Sequence, residues 1–258
     1  MSRPTTRQRR ASLLGAVQGG DGNIQQLADR FGVSASTIRR DLADLAREGH
    51  VVRTYGGALD SAHGVERNLR EKDASNTVEK DAIARTAAAL IADGEIVLLD
   101  AGTTTGRLAR HLAHRRELTV VTNGLPVVLA LADNPEIDLI VLGGRLRHPN
   151  EAIVGESVHD QLRHIAPDRV FLGADGLSAD RGLCCPSLEQ AQLKYAMSQA
   201  GRECWVLADH SKLDAAPFAY WAPLDRVGTL IIDDRAGRAG LRPFTDRGIE
   251  VVKAAQPG

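Results

Sequence analysis

Apolar residues recur at helical spacing in three short stretches of the first fifty positions. Leu13, Leu14 and Val17 lie behind a polar, arginine-rich face over 5–17, and Ile24, Leu27, Ala28 and Phe31 repeat over 24–31. Ile38, Leu42 and Leu45, spaced by four and three, mark a third stretch at 35–48. This spacing puts apolar side chains on one stripe of a helix, so three amphipathic helices are predicted. Gly19-Gly20-Asp21-Gly22 breaks the first from the second, because glycine loses the most backbone freedom on entering a helix. Gly32-Val33-Ser34 reads as a tight turn between the second and third: the glycine suits a helix C-terminus and Ser34 a following N-cap. Residues 50–57, His-Val-Val-Arg-Thr-Tyr-Gly-Gly, then read as a short β-hairpin.

Periodicity is lost over 59–76, which reads as a linker, and returns as a helix over about 77–92. Beyond Asp93-Gly94 the pattern changes to continuous apolar runs at 95–100, 118–122, 138–142, 168–172, 203–208 and 227–232. Helical stretches at about 104–114, 124–133, 155–166 and 188–201 lie between most of them. Runs apolar on both faces, alternating with helices, predict a mainly parallel sheet covered by helices. The fold class is therefore α/β: a small winged helix-turn-helix domain at 1–58, the linker at 59–76, and a larger α/β domain at 77–258.

Two short helices joined by a glycine turn place the second in the major groove of DNA. The face of that helix opposite its apolar stripe carries Ser36, Thr37, Arg39 and Arg40, with Ser34 at its start. Arginine reaches guanine O6 and N7 or a phosphate, and hydroxyls reach either. Arg53 and Tyr55 on the hairpin would face the backbone or the minor groove. Charge supports this. Residues 1–57 hold nine arginines and no lysine against five acids, about +4, whereas the whole chain is −1. A basic module on an acidic body is the layout expected of a regulator with double-stranded operator DNA as its partner.

In open α/β sheets ligands bind beyond the carboxyl ends of the strands. Polar clusters stand there after five successive runs: Asp100-Ala-Gly-Thr-Thr-Thr-Gly106, Thr122-Asn123-Gly124, Gly143-Gly144-Arg145, Gly173-Ala-Asp175-Gly176 and Asp209-His-Ser-Lys212. Gly102 permits close approach, Thr103, Thr104 and Thr105 offer hydroxyls, and the helix that follows turns free N–H groups to the same spot. Lys212 would add a cation, and Asp100, Asn123 and Asp175 would accept from sugar hydroxyls. Glu189 and Lys194 read as exposed helix charges.

Aromatics make up only 3% of the chain, so its cores rest on aliphatic residues. Cys184, Cys185 and Cys204 have no metal-ligand spacing and read as reduced thiols, and the histidines at 111, 148, 159 and 210 suggest no metal. No cofactor is expected. No apolar run reaches the length of a membrane span and no signal-peptide core follows the arginine-rich start. A soluble, cytoplasmic protein without membrane partners is expected.

The run Phe31-Gly-Val-Ser-Ala-Ser-Thr-Ile-Arg-Arg-Asp-Leu42, followed by Glu48-Gly49 and Arg53-Thr-Tyr-Gly-Gly-Ala58, closely resembles the head of the DeoR (deoxyribose-operon repressor) family of bacterial regulators. The resemblance continues through Asp-x-Gly-Thr-Thr, Thr-Asn, Gly-Gly, Gly-Ala-Asp-Gly and Asp-His-Ser-Lys, although Cys184-Cys185 stands where that family commonly has two threonines. It implies that the 35–48 helix reads DNA. It further implies a sensor domain similar to ribose-5-phosphate isomerase, with Gly102, Thr103, Thr104, Asp175 and Lys212 at a phosphorylated sugar that releases a repressor from its operator. The alternative is an isomerase, which needs a carboxylate base and a cationic partner. Those enzymes resemble this chain in a stretch Asp-Gly-Ala-Asp-Glu, yet here its first and last acids are replaced by Leu172 and Gly176. Their lysine before a glycine run is replaced by Gly182-Leu-Cys-Cys-Pro186. A non-enzymatic sensor is expected, assembled as a dimer or tetramer because paired half-sites need paired readers.

Overall fold

The computed structural model describes residues 6–18, 24–47, 51–54, 57–60 and 66–255. They fall into two compact units, Met1–Glu66 and Arg67–Gly258. The first holds helices α1 (Thr6–Gln18), α2 (Ile24–Phe31) and α3 (Ala35–Arg47), then the antiparallel pair β1 (Val51–Thr54) and β2 (Gly57–Asp60). The predicted stripes meet in one core, with Leu13, Leu27 and Ile38 fully buried and Val17, Leu42 and Leu45 nearly so. Gly32 takes φ +60 at the end of α2, a backbone state that L side chains rarely adopt. The Val33 N–H then donates to the Ala28 carbonyl at 3.1 Å, closing the helix end. Arg9 Nε donates to Asp41 at 2.7 Å, Arg10 Nε at 3.2 Å, and Arg10 also pairs with Asp44, tying α1 to α3.

The hairpin extends past the expected residue 57, through β2 to Asp60. Tyr55 lies outside the described residues, and of Arg53 only the backbone, in β1, is described. The 59–76 stretch is not the aperiodic linker expected. It contains the end of β2 and helix α4 (Leu69–Asp73), with 61–65 outside the described residues. Asn68 Oδ1 accepts from the Glu71 N–H at 3.0 Å and the Glu71 carboxylate from the Asn68 N–H at 3.1 Å, a capping box. A five-residue helix is too short to show periodicity; the Asn-x-x-Glu spacing was its only signal.

The second unit continues with α5 (Thr77–Leu90), β3 (Ile96–Leu99), α6 (Thr103–Leu112), β4 (Leu118–Thr122), α7 (Leu125–Leu131) and β5 (Ile137–Val141). A hairpin of β6 (Arg145–Arg147) and β7 (Ala152–Val154) leads to α8 (Glu156–Leu162) and β8 (Arg169–Gly173). Next come β9 (Gly176–Ser178), β10 (Gly182–Cys185), α9 (Leu188–Ala200), β11 (Glu203–Ala208) and β12 (Tyr220–Ala222). The chain closes with β13 (Val227–Asp233), α10 (Arg238–Thr245) and β14 (Glu250–Ala254).

Seven strands form one sheet in the order β14-β13-β11-β8-β3-β4-β5, every pairing parallel. Alternation along the strands divides the core in two. Leu98, Val170, Leu172, Val206 and Leu230 belong to the cluster that includes Val158, Met197 and Phe244 of α8, α9 and α10. Val97, Leu99, Phe171, Leu207 and Ile231 belong to the cluster with Ile83, Leu108 and Val127 of α5, α6 and α7. Both faces are covered, which is why the strands read as unbroken apolar runs. Chain order reverses at β3: β4 and β5 extend the sheet to one side, β8 begins the other. The loops after β3 and β8 therefore flank a switch point, where such sheets open a crevice.

Candidate functional site

On α3 the buried stripe is Ile38, Leu42 and Leu45, with Asp41 at 2% exposure beside it. Ser36, Arg39 and Arg40 are exposed, and Thr37 is half-buried. The Ser34 hydroxyl accepts from the Thr37 N–H at 3.2 Å and lies 2.8 Å from both Ser36 Oγ and Thr37 Oγ1, so it caps the helix as expected. Two guanidiniums and two hydroxyls thus stand at the first turns of one helix.

In the second unit a cleft opens at the switch point. Gly102, Thr103 and Thr104 line it from the start of α6, Asp175 from beyond β8, and Lys212 from the short 3-10 helix after β11. Residues from three strand ends far apart in sequence, all five named from those ends, are thereby brought together. Asp209 caps that 3-10 helix by accepting from the Ser211 N–H at 3.0 Å.

Four other expected residues take structural places. Thr105 is fully buried, its hydroxyl donating to Asp100 Oδ1 at 2.9 Å, because the third threonine of the loop has rotated inward on the helix. Gly176 lies in β9, where a Cβ would meet the Ala215 carbonyl oxygen at 1.9 Å. Its lack of a side chain serves this packing. Gly143 N–H donates to Gln161 at 3.0 Å and Gly144 abuts the Val154 carbonyl; neither lines the cleft. Asp100 and Asn123 line a smaller pocket adjoining it.

Asp100, at 2% exposure, organises the floor. One oxygen accepts from Thr105; the other accepts from the Gly173 N–H at 2.9 Å and pairs with Lys194. Lys194 also donates to the Gly173 carbonyl at 2.8 Å. Burial alone would lower the Lys194 pKa, but Asp100 outweighs it and holds it above the ordinary lysine value. The residue read as an exposed helix charge is instead a cation in the cleft, on the inward face of α9.

Lys72 and Lys80 also line the cleft. Lys72 pairs with Asp175 at 2.5 Å. Lys80 donates to the Ser75 carbonyl at 2.7 Å and also to the Lys72 carbonyl, and burial pushes its pKa down to about 8 against the pull of Asp209. Both stand in or just after the stretch taken for a linker, which is why sequence spacing did not bring them in. The cleft thus gathers four lysines, Lys72, Lys80, Lys194 and Lys212, around the free N–H groups of α6.

Cys184 and Cys185 are buried in β10 and line neither cavity. Desolvation pushes the Cys185 thiol up to about 12, so it stays protonated and unreactive. Among the described residues no cluster of three histidines, cysteines or carboxylates is arranged to hold a metal. Among them, too, no helix is long and apolar enough to cross a membrane.

Comparison with known proteins joins the two halves. Residues 9–62 match the DeoR-like helix-turn-helix domain, and residues 75–234 the DeoR C terminal sensor domain. The HTH-type transcriptional repressor GlcR of Bacillus subtilis (strain 168) is 33% identical over 233 residues, 90% of each chain. The HTH-type transcriptional regulator GlpR of Haloferax volcanii is 31% identical over 251 residues, 96% of this chain and 97% of its own. Among solved structures, ribose 5-phosphate isomerase A from Methanocaldococcus jannaschii is similar at 22% identity and TM-score 0.39, over 54% of this chain and 55% of that one. The chain belongs to the DeoR family of helix-turn-helix transcriptional regulators.

Proposed function

We propose that the chain represses a carbohydrate-metabolism operon and that a phosphorylated sugar, bound in the cleft of the second unit, weakens its hold on operator DNA. The observation carrying this reading is the convergence of four lysines on the N-terminus of α6. A phosphate there meets cations and free backbone N–H groups together, and the Asp175 carboxylate, though paired with Lys72, has further lone pairs to accept from a hydroxyl. The name of the GlcR relative, a transcriptional repressor, favours the same sign of regulation. The sensor reading rests on Asp100, both of whose oxygens are engaged, on Asp175, which faces Lys72, and on Asp209, whose Oδ1 caps the 3-10 helix and accepts from the Asn76 amide. The assembly is a cytoplasmic dimer or tetramer, matching the two-fold symmetry of an operator. The ligand acts by binding the two states of that assembly unequally, since only differential affinity shifts an equilibrium.

The test is a titration of operator DNA from the chain's own upstream region, at two salt concentrations, with and without pentose and hexose phosphates. Specific binding that one phosphosugar weakens supports the reading; operator affinity indifferent to every phosphosugar that binds overturns it. In the same assay Arg39→Ala and Arg40→Ala separate their roles. A residue reading a base loses about 1–3 kcal/mol and relaxes specificity, whereas a phosphate contact lowers the salt slope by about 1.

Ligand affinity should also depend on pH through Lys80. With its pKa near 8, the ammonium is charged at pH 7 and mostly neutral at pH 9. A phosphomonoester, with its second pKa of about 6, keeps the same charge over that range. Affinity measured calorimetrically should therefore fall, by about ten-fold, as pH rises from roughly 7 to 9. Lys80→Gln should bind more weakly and flatten the profile. The same shift acts on folding in the opposite direction. The unfolded lysine holds its proton up to 10.5, so this group's cost to stability is full below pH 8 and is relieved as pH rises from 8 to 10.5.

A further inference from the structure

Next to the lysine cleft lies a smaller pocket, sharing Ala101, Asn150, Gln190 and Lys194 with it. Its walls include Val154, Leu193 and Met197, yet two buried side chains among its lining residues each have a polar atom without a partner. Asn123 is 3% exposed and Gln190 5%. The Asn123 Nδ2 donates to the Ile153 carbonyl at 3.0 Å. A carbonyl only accepts, so the amide is held one way round and Oδ1 is left over. Gln190 is fixed by a longer chain. Arg147 Nη1 donates to Asn150 Oδ1 at 3.0 Å, and Asn150 Nδ2 then donates to Gln190 Oε1 at 3.1 Å. A guanidinium has no acceptor, so this sequence runs in one direction and leaves Gln190 Nε2 unmade.

A buried donor or acceptor without a partner carries its desolvation cost uncompensated. Such groups are tolerated when a ligand supplies what is missing. The missing set here is one acceptor and one donor in an otherwise apolar pocket, beside a cationic cleft. A hydroxyl group is both at once. We propose that this smaller pocket seats the hydroxylated end of the effector, with Gln190 and Asn123 recognising its hydroxyls while the lysine cleft holds the phosphate. The inference rests on the phosphosugar reading above and adds the residues that distinguish a sugar phosphate from phosphate alone. Arg147 and Asn150 act at one remove, as positioning residues for the Gln190 amide.

Isothermal titration of the full-length protein tests it with three probes: inorganic phosphate, hexyl phosphate, and the tightest binder among pentose 5-phosphates and hexose 6-phosphates. The wild-type chain should bind the sugar phosphate at least ten-fold more tightly than hexyl phosphate, which reaches the pocket but has no hydroxyl. In Gln190→Met, near-isosteric and lacking the donor, the preference for sugar phosphate over inorganic phosphate should fall about ten-fold. The wild-type comparison stands even where the variant fails to fold. If sugar phosphate and hexyl phosphate bind equally, or Gln190→Met leaves the preference intact, the smaller pocket holds water and this inference is overturned while the phosphosugar reading survives. If the wild-type chain binds none of the sugar phosphates, both fall together.

Discussion

Lys194→Met will lower the stability of the second unit by about 3–5 kcal/mol, because it leaves the buried Asp100 carboxylate without its cation. The side chains of the pair are 2% and 14% exposed, so solvent screens the stranded charge only weakly. Urea denaturation of the variant, followed by a probe in the sheet, should show the midpoint fall with little change in slope. Asp100→Asn should cost nearly as much, since it strands the ammonium and weakens the Thr105 and Gly173 bonds as well. The single effects should not add. In the double variant Asp100→Leu with Lys194→Met no charge remains to be stranded, and much of the loss should return. Equal, additive losses would mean that the two residues act independently and that the ion pair is not what joins β3 to α9.

This pair shows where sequence reading stops. Asp100 was legible because it ends an apolar run. Lys194 was not, because one lysine in a thirteen-residue helix has the pattern of a solvated charge. Its inward direction is decided by how α9 packs on the sheet, and its partner Asp100 stands 94 residues earlier. Separation in sequence likewise hid Lys72 and Lys80. By contrast, Gly102, Thr103 and Thr104 could be found, since strand end, glycine and helix start are all local features. Thr105 shows the limit of that logic: three threonines in a row are alike in sequence, but a helix turns each by about 100°, and the third faces the core.

The fold divides the same way. Strands covered on both faces were readable as apolar runs, and six such runs correspond to β3, β4, β5, β8, β11 and β13. The three-residue strands β6, β7, β9 and β12 were not. They are too short for alternation to register, and neighbouring strands set their conformation. The edge strand β14, Glu-Val-Val-Lys-Ala, is half-exposed and reads as weakly apolar. The terminal helix α10 carries Pro243 in its interior, a residue that argues against a helix on local grounds.

The second large effect lies in the first unit, at a residue chosen for neither DNA nor ligand. Asp41→Ala should remove about 2–3 kcal/mol from that unit's stability, by unlinking α1 from α3. Asp41 is nearly fully buried between Arg9 and Arg10, and both guanidiniums lose a partner when it goes. A unit of some sixty residues has a small core, typically supplying about 3–5 kcal/mol in all. The loss is therefore most of what holds α3 in place. Hydrogen exchange at the α3 amides should accelerate by about thirty-fold or more at 25 °C. Operator binding should persist at low temperature and vanish near 37 °C, since the side chain itself is turned away from the exposed face that carries Arg39 and Arg40. That temperature dependence separates the cause. A variant that stays folded at both temperatures but binds at neither would place Asp41 at the DNA; the packing of α3 assigns it to the scaffold that presents the reading helix.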